Sequence, residues 1–235
     1  LSSDDNDVWL LDIPANLIQL AERRSDKIGK SESTLYGIDF EEDAKINESN
    51  ILKILESIVV EVSWDKMIGS GTGFYISDDE IATCYHVLFP EGKRLKKNKT
   101  FWIKNDTRDR SWQKAILVRA RPLPDDIAIL KTKKRLESFD PNLLRPWNNE
   151  RCTFLSRGYT EMADDAGSYA NQIRGEIMAD VWMYKERRRR LQLRTLSEAI
   201  KPGSSGSPVF CPDLKAIVGM IDYQGGALGR DAQVS

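Results

Sequence analysis

One histidine, three cysteines and almost no net charge are spread through 235 residues. Each scarcity excludes something. Any imidazole chemistry has to run through His86. The cysteines, Cys84, Cys152 and Cys211, are odd in number and far apart, which argues against a disulfide framework and for a reducing, cytoplasmic setting. The short ligand pairs of a metal site are missing, so neither a metal nor another cofactor is expected. Lys and Arg number 35 against 36 Asp and Glu, so the net charge of -1 exerts no global pull toward nucleic acid or a membrane surface. No apolar run approaches the length of a membrane span. The first residues, L-S-S-D-D-N-D, are acidic and lack the basic-then-apolar shape of a signal peptide. The chain also lacks an initiator Met, which suggests excision from a larger protein.

What is present divides at about residue 50. Residues 1–50 read as a separate helical and linker segment. Asp12 is placed to cap a helix that carries Pro14 in its first turn and ends at Gly29. Ile13, Leu17, Leu20, Ala21 and Ile28 form its apolar stripe, and residues 30–50 read as a polar linker. Residues 51–235 read differently. Asn50 to Ser57 suits a short helical turn, and from Ile58 the apolar residues recur with period two. Short strand candidates then follow with turn signals between them. They are Gly69–Ser77, Ile81–Leu88, Phe101–Asn105, Trp112–Arg119 and Asp126–Lys131, and later Cys152–Tyr159, Gln172–Ala179, Val181–Lys185, Leu191–Leu196, Ser207–Phe210 and Ala216–Tyr223. This pattern predicts an all-β domain. The run K-E-R-R-R-R from Lys185 to Arg190 is the strongest local charge cluster. With no aromatic interleaving and no second basic patch it reads as a solvated hairpin tip, and a nucleic-acid partner is not expected.

The stretch that organises the rest is K-P-G-S-S-G-S-P-V-F, residues 201–210. Gly203, Gly206 and Pro208 force a tight turn that lifts Ser205 out between glycines. Backbone N–H groups on such a turn converge where an oxyanion could sit. A serine needs a base to attack anything. His86, in I-A-T-C-Y-H-V-L, is the one available, and Asp126, in P-D-D-I-A-I-L, could orient it. Ser204 and Ser207 are rivals to Ser205, and Asp125 is a rival to Asp126.

Four motifs together, in this order, resemble those of the chymotrypsin-fold serine peptidases, and most closely the bacterial HtrA/Deg branch. G-S-G-T-G-F-Y-I (69–76) resembles the family's G-S-G-F-I-I, and T-C-Y-H-V (83–87) its T-x-x-H-V. D-I-A-I-L (126–130) resembles D-I-A-V-L, and A-I-K-P-G-S-S-G-S-P (199–208) resembles A-I-x-x-G-N-S-G-G-P. The resemblance spans roughly residues 55 to 225, and no PDZ domain is visible after the last strand. It implies two six-stranded antiparallel β-barrels, at about 55–135 and 150–230, with the active site between them. It implies a serine endopeptidase that works through an acyl-enzyme, with Ser205 as nucleophile, His86 as general base and acid, and Asp126 holding the histidine tautomer. It selects Ser205 and Asp126 over their rivals. The backbone N–H groups of Gly203 and Ser205 would form the oxyanion hole. Ala199 and Ile200 would line a specificity pocket walled by Met220, Ile221 and Asp222, and the substrate would add as a strand along Met220–Tyr223. The apolar lining suggests a small or medium apolar residue before the scissile bond, while Asp222 could invite a basic one.

Two departures from the secreted members of the family carry information. The Cys that follows the catalytic His in many of them is Val87 here. The Asp that precedes the nucleophile in secreted trypsins, and that pairs with a freed N-terminus on activation, is Ser204. Regulation by loop rearrangement, or by a fused or bound partner, is therefore expected in place of zymogen cleavage. The expected partners are a protein or peptide substrate and such a regulator. The alternative is a catalytically latent protease-fold module that serves regulation or interaction.

Overall fold

The apolar spacing Ile51, Ile54, Leu55, Ile58 puts one stripe on a helix, and all four side chains are buried in α1 (Glu48–Ile58). Each such burial is worth about 1.5–3 kcal/mol. Asn47 caps the helix by accepting from the Ser49 N–H at 2.6 Å, and Glu48 faces the positive end of its dipole. The cap starts the helix two residues before the short helical turn expected at Asn50–Ser57. The β-branched pair Val59–Val60 then takes the chain into extended structure. The structure, a computed structural model, describes residues 9–12, 47–64, 66, 71–90, 100–105, 109–122, 125–133, 135–136, 139–147, 151–161, 168–183, 188–196 and 200–222.

Among the described residues, twelve strands form two closed six-stranded antiparallel barrels. The first contains β2 (Val59–Ser63), β3 (Gly71–Tyr75), β4 (Glu80–Cys84), β5 (Thr100–Asn105), β6 (Asp109–Arg121) and β7 (Ile127–Thr132), in the order β2-β3-β4-β7-β6-β5. Between β4 and β5 lies α2, a single turn at Tyr85–Leu88. The second barrel contains β8 (Cys152–Glu161), β9 (Ser168–Met183), β10 (Arg188–Thr195), β11 (Pro208–Cys211) and β12 (Ala216–Asp222). It is closed by β1 (Trp9–Asp12), in the order β1-β10-β9-β8-β11-β12. Closure leaves neither barrel with an open edge.

Two expectations change. Residues 9–12 belong to the second barrel and not to a separate N-terminal segment. β1 pairs with β10 on one side and with β12 on the other, Trp9 lying opposite both Gln192 and Asp222. Without it the backbone groups of both neighbours would lack partners on that edge. Asp12 is therefore the last residue of a strand, and the helix expected to follow it lies outside the described residues. The two strands expected at Gln172–Ala179 and Val181–Lys185 are one continuous strand, β9, paired along its length with β8 and β10. Of the run expected at a hairpin tip, Arg188–Arg190 lie within β10 opposite Met183–Val181, and residues 185–187 lie outside the described residues.

The core of the first barrel, around Phe74, Phe101 and Leu130, continues through Leu155, Tyr159 and Met220 into the second. A smaller cluster around Phe154, Ile177 and Val218 fills the second barrel itself. All three cysteines are buried and none is in a disulfide. The Cys152 thiol donates to Cys211, which draws the Cys211 thiol down to about 7 and pushes Cys152 up. No helix among the described residues is long and apolar enough to cross a membrane.

Candidate active site

The nucleophile segment is built from two consecutive turns, and its glycines explain both. The Ser204 N–H donates to the Lys201 carbonyl at 3.1 Å, with Pro202 and Gly203 (φ 93°) at the centre. Pro followed by a positive-φ Gly is the pattern of a type II turn. The Ser204 carbonyl then accepts from the Ser207 N–H at 3.1 Å and from the Ser207 Oγ at 2.6 Å, around Ser205 and Gly206 (φ 89°). The segment is anchored to β12: the Gly206 N–H donates to the Ile221 carbonyl and the Ile221 N–H to the Ser207 carbonyl, both at 2.8 Å. A Cβ at Gly206 would lie 2.0 Å from the Thr72 carbonyl oxygen. Gly206→Ala is therefore expected to cost at least about 2 kcal/mol. A thermal melt should show this as a fall of roughly 4–8 °C in midpoint, with loss of whatever activity the segment supports.

The base is positioned by a different device. β4 ends at Cys84 and the chain turns into α2, carrying His86 in its first turn. Asp126, just before β7, has φ 49°, a left-handed conformation that Asp tolerates better than most residues. In that conformation it meets the start of α2 with three acceptors. Its carbonyl takes the Tyr85 N–H at 3.0 Å, Oδ1 takes the His86 N–H at 3.0 Å, and Oδ2 lies 2.6 Å from His86 Nδ1. The other ring nitrogen, Nε2, lies 2.9 Å from the Ser205 Oγ. The structure thus brings His86, Asp126 and Ser205 into one hydrogen-bonded line across the two barrels. Asp126 is fully buried, Ser205 is 4% exposed, and the His86 side chain is 35% exposed at the mouth.

The rivals lie elsewhere. Asp125 is 45% exposed and pairs with Arg121 at 3.4 Å. The Ser207 hydroxyl is committed to the Ser204 carbonyl. The Ser204 Oγ is buried and, among the described residues, has no hydrogen-bond partner.

The expected specificity residues are placed differently from the sequence reading. Ala199 lies outside the described residues. The side chains of Ile200, Met220 and Ile221 are buried in the two cores, so any contribution they make to a pocket falls to backbone. Asp222 is fully buried, with Oδ1 4.0 Å from His86 Nδ1. It is a second carboxylate behind the histidine and not a pocket wall. The expected substrate strand along Met220–Tyr223 also meets an obstacle. Met220 pairs with both Pro208 of β11 and Leu11 of β1, and Ile221 and Asp222 pair with Leu10 and Trp9. A strand has two edges, and here both are occupied at Met220; Tyr223 lies outside the described residues. Cys84, His86, Asp126 and Asp222 bring potential ligand atoms within 4.8 Å of one another. These groups already bond within the protein: the Cys84 thiol donates to the Ile221 carbonyl at 3.4 Å, and His86 and Asp126 hold each other.

Sequence reasoning missed Thr72 of β3. Its N–H donates to the Ser205 carbonyl and its hydroxyl to the Gly203 carbonyl, each at 2.9 Å. The signal was a threonine between two glycines, Gly71 and Gly73, at the start of a largely apolar strand.

A family model described as a trypsin-like peptidase domain matches residues 71–220. No curated protein matches the sequence. Among solved structures, the HtrA-type protease AlgW, determined with a decapeptide, is similar with a TM-score of 0.56 and 16% identity over 74% of this chain. The chain spans 58% of the length of AlgW. Deg5 is similar with a TM-score of 0.54 and 16% identity, over 75% of this chain and 87% of that one.

Proposed function

The chain belongs to the trypsin-like peptidase domain family, and on that premise we propose that it is a serine endopeptidase that cleaves peptide bonds through an acyl-enzyme. The observation that carries the proposal is the continuous line Asp126 Oδ2, His86 Nδ1, His86 Nε2, Ser205 Oγ, with separations of 2.6 and 2.9 Å. A carboxylate only accepts hydrogen bonds, so the ring proton belongs on Nδ1 and Nε2 is the free base. Nε2 takes the Ser205 proton as Oγ attacks the substrate carbonyl. The resulting oxyanion is held by the N–H groups of Gly203 and Ser205. The peptide that carries the Ser205 N–H is fixed by the two bonds to the Ser204 carbonyl. The imidazolium, facing Asp126 with Asp222 4.0 Å away, then protonates the leaving amine. Water, deprotonated by the same nitrogen, releases the acyl group.

The substrate is a protein or peptide, and the setting a reducing one, which suits three buried thiols outside any disulfide. Ser204 supplies no carboxylate to pair with a new N-terminus, so control falls to loop rearrangement or a regulatory partner. A second reading, a latent protease-fold module, is favoured by one observation: β1 covers the β12 edge along which a substrate strand was expected to add.

A serine-directed fluorophosphonate probe separates the two. The active enzyme takes the label on Ser205, located by mass spectrometry; Ser205→Ala abolishes it and His86→Ala weakens it. Folded protein that takes no label under any condition is the latent module.

A further inference from the structure

The nucleophile and the base sit on different barrels, yet one residue outside the triad bonds to the elements that carry both, through its hydroxyl and its backbone. Thr72 is fully buried in β3 and uses every hydrogen-bonding group it has. Its N–H donates to the Ser205 carbonyl at 2.9 Å and its Oγ1–H to the Gly203 carbonyl at 2.9 Å. The same Oγ1 accepts from the Tyr159 N–H of β8 at 2.8 Å. Its carbonyl accepts from the Thr83 Oγ1 of β4 at 2.6 Å, and β4 leads directly into His86.

We propose that Thr72 is a positioning residue that clamps the Gly203–Ser205 segment against the first barrel and so sets both the oxyanion donors and the Ser205–His86 distance. The proposal rests on the serine-peptidase reading above. The physical argument concerns peptide planes. Gly203 and Gly206 both sit at positive φ, where glycine moves freely and the chain has little stiffness of its own. Two of the three carbonyls from Gly203 to Ser205 are tied to Thr72 and the third to Ser207, so Thr72 holds the peptide planes on either side of the one that carries the Ser205 N–H. Without the hydroxyl, the Gly203 carbonyl and the Tyr159 N–H, which Oγ1 bridges, both lose that bond inside the protein. The backbone packs closely around Thr72: a Cβ on Gly206 would strike the Thr72 carbonyl, and one on Gly158 would come within 3.2 Å of Oγ1. Thr72 is thus a mechanical link from β4 and His86, through β3, to Ser205.

The test compares Thr72→Val, which keeps the shape and removes the hydroxyl, with Thr72→Ser, which keeps the hydroxyl. A misplacement of about 1 Å costs on the order of 10²-fold in rate. Thr72→Val is therefore expected to react with the fluorophosphonate about 10²-fold more slowly than wild type, and Thr72→Ser within a few-fold of it. Ile177→Val, in the core of the second barrel away from the site, controls for general destabilisation and should label at the wild-type rate. Native-state amide exchange supplies a readout that does not depend on activity. In Thr72→Val the Tyr159 and Ser204 amides should exchange about tenfold faster, the scale of one lost hydrogen bond, and in Thr72→Ser at the wild-type rate. If folded wild type takes no label, the peptidase reading fails, and amide exchange alone then decides whether the clamp exists. Thr72→Val that labels and exchanges like wild type, or Thr72→Ser as impaired as Thr72→Val, overturns the proposal.

Discussion

Ser205→Ala is expected to lower kcat for peptide hydrolysis by on the order of 10⁶-fold, with the fold intact. Among the described residues no other hydroxyl is placed to replace it. Ser207 is committed to the Ser204 carbonyl, and both Ser204 and Ser207 are fully buried, while Ser205 Oγ alone lies 2.9 Å from His86 Nε2. His86→Ala should fall to a similar level, and the double variant little further, because nucleophile and base act as one unit and their losses do not add. A remainder of about 10³–10⁴ over the uncatalysed reaction should survive, supplied by the oxyanion donors and by substrate binding. Removing one hydroxyl costs only about 1 kcal/mol of stability. The measurement is hydrolysis of a fluorogenic peptide library beside thermal melts of the same samples. Activity within tenfold of wild type, with an unchanged melt, would mean that Ser205 is not the nucleophile.

The parts of the site that were legible in the sequence are those that a short stretch of backbone demands for itself. Gly203, Gly206 and Pro208 announce the tight turn that carries Ser205, and Asp126 stands directly before an apolar run. Each of these is a local rule written in adjacent residues. The paired barrels were legible for a similar reason, since period-two apolar runs broken by turn residues recur along the chain. What could not be read is what depends on distant partners. Nothing in Trp9–Asp12 specifies pairing with strands that begin at residues 188 and 216, and an acidic residue followed by Pro14 reads more naturally as a helix start. Asp222 ends an apolar strand and, read locally, could be a pocket wall; only the fold puts it beside His86 Nδ1. Thr72 is the clearest case, since its hydroxyl bonds to Gly203, 131 residues away. The long range of these contacts also explains their value to a peptidase. A nucleophile and a base on separate barrels need ties that cross between them, and local sequence cannot encode such ties.

Asp126→Asn should separate chemistry from architecture at the other end of the line. Asn occupies left-handed backbone as readily as Asp, so φ 49° and the carbonyl bond to Tyr85 survive the change. The amide has one accepting oxygen in place of two. If that oxygen keeps the His86 N–H now held by Oδ1, the amide NH₂ faces Nδ1, now 2.6 Å from Oδ2. A donor there forces Nδ1 to accept, the ring proton moves to Nε2, and the nitrogen facing Ser205 is no longer a base. The expected result is a fall of about 10⁴-fold in kcat at neutral pH, with fluorophosphonate labelling of Ser205 slowed in parallel. Raising the pH should recover part of the loss, because hydroxide can then deprotonate the serine without the histidine. Asp126→Ala makes a useful contrast. It loses the same chemistry, but it also strips the His86 N–H of its acceptor and leaves a less tolerant residue in left-handed backbone, so it should lose stability as well. If Asp126→Asn and Asp126→Ala lost stability equally while Asp126→Asn kept near-normal kcat, Asp126 would be an architectural residue of the α2 junction, and the histidine would be held by another group, with Asp222 the nearest carboxylate.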